Sequence, residues 1–114
     1  MRLYQKVFTR FIEWLHPEYS YLFVNDLPVN IIDKTIYIVG QKEHPWLIVF
    51  NCPCGCHSPI QLNLLKEGDP CWKFKISNNK KINISPSVWR IVGCKSHFIV
   101  RNSKIGWVKY YDQR

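Results

Sequence analysis

The chain has 114 residues, 46% of them hydrophobic and 15% aromatic, with a formal net charge of +8 at neutral pH. That length supplies one core and one domain, and so much apolar and aromatic material excludes an intrinsically disordered chain. No apolar run approaches the ~20 residues of a membrane span, and the opening MRLYQKVFTRFIEWLH lacks the apolar stretch of a secretory signal, so a cytoplasmic protein with no membrane partner is expected.

In chain order, residues 2–15 have the period of an amphipathic helix. Leu3, Val7, Phe8, Phe11, Ile12 and Leu15 fall on one face, and Arg2, Lys6, Thr9, Arg10 and Glu13 on the other. Pro17 stops the helix and disfavours helical geometry at His16. The apolar face suits either the chain's own sheet or a partner. The expected organisation is therefore an N-terminal helix over 1–16 and a β domain over 19–114 within one compact unit.

From there the pattern is β. YLFVNDLP leads to TIYIV, then Gly40 and QKEHP make a turn before WLIVF, whose unbroken apolarity fits a central strand covered on both faces. PIQLNLL alternates. CWKFKIS and KKINIS flank Asn78-Asn79 as one hairpin, and HFIVR and KIGWVKYY flank Asn102-Ser103 as another. Pro86 is expected to end a strand, Ser87 to cap a short turn, and Trp89 either to close the core or to anchor a partner. The fold class is mostly β (α+β): an antiparallel β domain with one helix.

Between WLIVF and PIQLNLL lies NCPCGCHSP, which places Cys52, Cys54 and Cys56 on alternate positions. No Cys-x-x-Cys redox motif is present, and reduced cytosolic thiols favour a metal over disulfides. About forty residues on, GCKSHF supplies Cys94 and His97 at a C-x2-H spacing. Five candidate ligands (Cys52, Cys54, Cys56, Cys94, His97) thus offer the tetrahedral sulfur and nitrogen set that zinc prefers, as in a zinc knuckle or zinc ribbon. Cys94 and His97 form one half, and Cys54 with Cys56 or Cys52 with Cys56 the other. Four such ligands close the coordination sphere, and no acid lies within either turn to serve as general base, so one structural zinc is expected rather than a catalytic one. Cys71 reads as a buried apolar side chain and His57 as a solvated neighbour.

The positive charge lies in the second half: from Cys71 onward there are ten Lys/Arg, and Asp112 is the single acid. Lys73, Lys75, Lys80, Lys81, Arg90, Lys95, Arg101, Lys104 and Lys109, with Trp89, are the candidate partner-binding residues, and an acidic protein or a nucleic acid is the partner class that this charge suits.

Together the C-P-C-G-C run at 52–56, the strand led by Trp72, SPSVW at 85–89, GCKSHF at 93–98 and KIGWV at 104–108 resemble a small bacterial family of unknown function, over roughly residues 27 to 110. The chain departs from that family's pattern at His57, where glycine is usual. Members are often encoded beside ubiquitin-like, E1-like and E2-like proteins. The resemblance implies an adaptor or E3-like accessory in such a conjugation pathway, with those proteins as partners, and supplies no catalytic residue. The rival expectations are a zinc-ribbon-like nucleic-acid binder and an enzyme that uses zinc or a thiolate.

Overall fold

The computed structural model describes residues 18–91 and 93–108. The helix expected over 2–15 and the candidate partner residue Lys109 lie outside them. All regular structure among the described residues is β, and no helix there is long and apolar enough to cross a membrane.

Eight strands form two four-stranded sheets. The first holds β1 (Ser20–Val24), β2 (Thr35–Gln41), β3 (His44–Asn51) and β4 (Pro59–Asn63) in sequential order. The second holds β5 (Lys73–Ile76), β6 (Ile82–Trp89), β7 (His97–Arg101) and β8 (Lys104–Trp107), also in order. Neighbours pair antiparallel except β1 and β2, which are parallel and need the long connection over 25–34 to return the chain to the same end.

One core draws on both sheets. Ile36, Ile38, Ile48, Phe50, Ile60 and Leu62 come from the first, and Ile82, Ile84, Val88, Phe98 and Val100 from the second. Phe50 and Phe98 meet edge to face with centroids 6.1 Å apart. Each such fully buried side chain contributes about 1.5–3 kcal/mol relative to exposure. The unbroken apolar run of β3 is explained by its second face. Leu47 and Val49 point away from the main core into a smaller cluster with Tyr37 and Val39, covered by Val24 at the end of β1 and Ile31 of the long connection.

Two local expectations change. Gly40 belongs to β2, at a register shift between Val39 and Gly40, rather than to the turn beyond it. Pro86 does not end a strand. β6 runs through it to Trp89, and between Ile84, which pairs with Val100, and Val88, which pairs with Phe98, the three residues 85–87 face Ile99 alone. A proline has no N–H to give a ladder, and a bulge is where a strand tolerates that loss. The bulge moves Ser87 out of regular pairing. Trp72 Nε1–H donates to the Ser87 carbonyl at 3.3 Å and fixes the displaced backbone.

Candidate functional site

The cysteine-rich turn links β3 to β4. Cys52 follows the last buried residues of β3, and its own side chain is buried. Its N–H donates to the Ser58 carbonyl at 2.8 Å, and the Gly55 N–H donates back to the Cys52 carbonyl at 3.3 Å. The chain reverses between these bonds, with positive φ at Gly55 and His57. A second turn joins β6 to β7, closed by the Arg90 N–H on the Ser96 carbonyl at 2.8 Å. It carries Cys94.

The two turns, one from each sheet, bring the Sγ atoms of Cys52, Cys54, Cys56 and Cys94 within 4.8 Å of one another. Cys52 Sγ lies 3.4 Å from Cys54 Sγ and 3.6 Å from Cys94 Sγ. A disulfide needs ~2.05 Å, and all four are free thiols. Tetrahedral zinc with bonds of about 2.3 Å sets its sulfurs about 3.8 Å apart, close to what these thiols adopt. The cluster could hold one metal ion, and the donor set is the one that thiophilic ions prefer.

Polar neighbours support the sulfurs. Arg90 Nη1 approaches Cys56 Sγ at 3.6 Å and Cys94 Sγ at 3.7 Å, and Ser96 Oγ lies 3.1 Å from Cys94 Sγ. Burial pushes the Cys52 thiol up to about 11. Hydrogen bonds from the Ser58 backbone and hydroxyl hold the Cys56 thiol down to about 6, and the Ser96 hydroxyl lowers Cys94. Cys71 stands outside the cluster, half-buried, with its sulfur 3.6 Å from the Trp72 carbonyl.

His97, the fifth candidate ligand, is not among the four. It begins β7 opposite Trp89, and its Nε2 lies 2.9 Å from Ser87 Oγ. The Trp89 indole stacks on the imidazole, centroids 5.0 Å apart and planes 11° from parallel. A serine hydroxyl in hydrogen-bond contact with an imidazole is the basic unit of serine nucleophilic catalysis. Sequence reasoning missed this pair. Each residue stood in a motif with another explanation, Ser87 as a turn cap and His97 as a ligand, and only strand register with the bulge brings them together.

The candidate partner-binding residues divide. Arg90 is turned to the Cys56 and Cys94 sulfurs, and Trp89 is half-exposed over His97. Lys73, Lys75, Lys80, Lys95 and Arg101 are exposed. Lys104 is half-buried, and Lys81 pairs with Glu18.

A family model described as "Bacterial ubiquitination-like system serine protease (BubE)" matches residues 23–108, which includes both turns, all four clustered cysteines, Ser87 and His97. Neither a curated protein nor a solved structure gives a significant match. With well over half of its length covered by that one model, the chain belongs to the BubE family of bacterial ubiquitination-like systems.

Proposed function

We propose that this chain is a serine peptidase of a bacterial ubiquitin-like system, with Ser87 as nucleophile, His97 as general base, and a structural zinc held by Cys52, Cys54, Cys56 and Cys94. The observation that carries the reading is the 2.9 Å contact between Ser87 Oγ and His97 Nε2, in a chain whose family is described as a serine protease. The four sulfurs complete a tetrahedral set without His97, which leaves the imidazole for the serine. Zinc here supplies shape: it would tie the turn after β3 to the turn that leads into His97.

The chemistry follows from the pair. His97 Nε2 takes the Ser87 proton as Oγ attacks the substrate carbonyl, and the imidazolium then gives that proton to the leaving amine. A water activated by the same nitrogen releases the acyl group and restores Ser87. Trp89 holds the ring against rotation, and the bulge at 85–87 presents Oγ clear of the strand ladder.

A fluorophosphonate probe tests this. Wild-type protein should form a covalent adduct at Ser87. Ser87→Ala should abolish it, and His97→Ala should slow it by about 10²–10⁴, with fold and metal content unchanged. A wild-type protein that takes no label overturns the reading. The basic second sheet supports an adaptor in the same pathway as a second reading. That role predicts that Ser87→Ala leaves conjugate levels in a reconstituted pathway unchanged, whereas a peptidase predicts a change.

A further inference from the structure

The face of the second sheet that carries Ser87 and His97 also gathers cations. Strand register sets Lys73 and Lys75 of β5 beside Ser85 and Asn83 of β6, and pairs Arg101 of β7 with Lys104 of β8. Their strand neighbours Phe74, Ile84, Phe98 and Val100 pack inward, so these residues lie on the side away from the core. None of the four strands contains an acid.

Two cavities mark this face. One of about 280 Å³ adjoins the dyad and is bounded by Asn83, Ser85, Ser87, Ile99 and Arg101. The other, about 510 Å³, is bounded by Lys81, Arg101, Lys104, Gly106 and Ile99, with Glu18 at its rim. They share Ile99 and Arg101, so the two cavities flank β7 and adjoin at those side chains, the β6 and β8 sides of one open trough. Gly106 is the register partner of Ile99, and a Cβ there would sit 3.2 Å from Ile99 Cγ1. Its missing side chain keeps the trough open on the β8 side. Glu18, paired with Lys81, already places a carboxylate in this cavity, whereas Arg101 has no ion pair among the described residues.

We propose that this trough is the docking groove for substrate, and that its occupant is an extended acidic protein segment whose carboxylate pairs with Arg101 while the bond to be cut lies at Ser87. The position of the cut rests on the dyad reading; the acidic occupant does not. From His97 to Arg101 is four residues, about 13 Å of strand, so an extended substrate presents its acid about four residues from the cleaved bond. The planar, permanently charged guanidinium suits a carboxylate, and the surrounding lysines steer an acidic chain toward it.

Binding is measured first, in the Ser87→Ala protein, with a fluorescein-labelled twelve-residue peptide of Gly, Ser and Leu carrying four Glu. Its Gln counterpart and a twelve-residue oligothymidylate serve as comparisons. The Glu peptide should bind best, Arg101→Glu should weaken it about tenfold or more, and Lys66→Glu, the same charge change away from the trough, should not. Equal binding of Glu and Gln peptides, equal loss in the two charge variants, or tighter binding of the oligonucleotide overturns the groove. Cleavage of quenched peptides by wild-type protein then separates the two proposals. Preference for Glu about four residues from the cut, lost in Arg101→Glu, supports both. Ser87-dependent cleavage that ignores Glu and Arg101 overturns the groove alone. Absence of cleavage with Arg101-dependent binding intact overturns the dyad and leaves the groove standing.

Discussion

Cys52 and Cys56 differ sharply in acidity although both belong to one cluster. Cys56, held down to about 6, is mostly thiolate at pH 7.5, while Cys52, pushed up to about 11, is almost entirely protonated. In metal-stripped protein, iodoacetamide should therefore modify Cys56 first and Cys52 last, as read by peptide mass spectrometry. Restoring zinc should protect all four. If labelling ignores metal, these thiols are not its ligands. A second residue-scale test lies at Gly40, whose φ of +121° an L side chain rarely adopts and where a Cβ would stand 2.7 Å from Trp46 Cδ1. Gly40→Ala should cost about 1–3 kcal/mol in a urea melt. At this scale the sequence was informative where chemistry is local. Three cysteines in five residues pointed to a cluster able to hold a metal because few other roles crowd thiols so closely. The Ser87–His97 contact was silent because the residue that a serine faces, here ten positions on, is set by strand pairing rather than by spacing. His97 was misdirected by its C-x2-H distance from Cys94, a spacing that a knuckle and the start of a strand produce equally well.

Hairpins were the most legible elements. Asn102 and Ser103 both take positive φ at the tight β7–β8 turn, as a two-residue turn between apolar runs requires. Ser103 does more than turn. Buried at 2% exposure, its Oγ accepts the Ile82 N–H at 2.9 Å and its own N–H donates to the Ile82 carbonyl at 2.9 Å, which ties the turn to the start of β6. Ser103→Ala leaves a buried N–H without that acceptor and puts a Cβ without a hydroxyl at positive φ, so a loss of about 1–3 kcal/mol is expected. Ser103→Gly removes the same hydroxyl but suits the backbone, and its loss should be smaller. Equal losses would mean that the missing hydrogen bond, not backbone strain, sets the cost. Two element-scale features were not legible. The parallel pairing of β1 with β2 depends on where the chain returns after residues 25–34, and local alternation says nothing about direction. The passage of β6 through Pro86 depends on a bulge, which exists only relative to β7.

On the scale of the whole molecule, the cysteine cluster would, with an ion bound, cross-link the two sheets. Cys52 leaves the first sheet and Cys94 lies between strands of the second, 42 residues apart in sequence. An ion holding both would close a 42-residue loop, and by the loop-closure relation used for disulfides that constraint is worth about 4 kcal/mol. A domain of about a hundred residues shifts its melting midpoint by about 4–8 °C per kcal/mol. Stripping the metal should then lower the midpoint by about 15 °C or more. Cys94→Ser should do the same, and Cys71→Ser, outside the cluster, should do little. Arg90→Ala removes the guanidinium that faces Cys56 and Cys94, and should weaken metal retention about ten- to a hundredfold against a competing chelator. The charge asymmetry of the chain could be counted from its sequence, but the stacking of two sheets that makes this cross-link useful could not, since alternation marks a buried face without naming what covers it. The same geometry would link stability to the proposed activity. Arg90 lies three residues after Ser87 and Cys94 three before His97, so loosening the turn between β6 and β7 should also slow fluorophosphonate labelling of Ser87. If metal-free protein melts at an unchanged temperature and labels at an unchanged rate, the Phe50–Phe98 core alone holds the sheets in register, and the four thiols serve some purpose other than a staple.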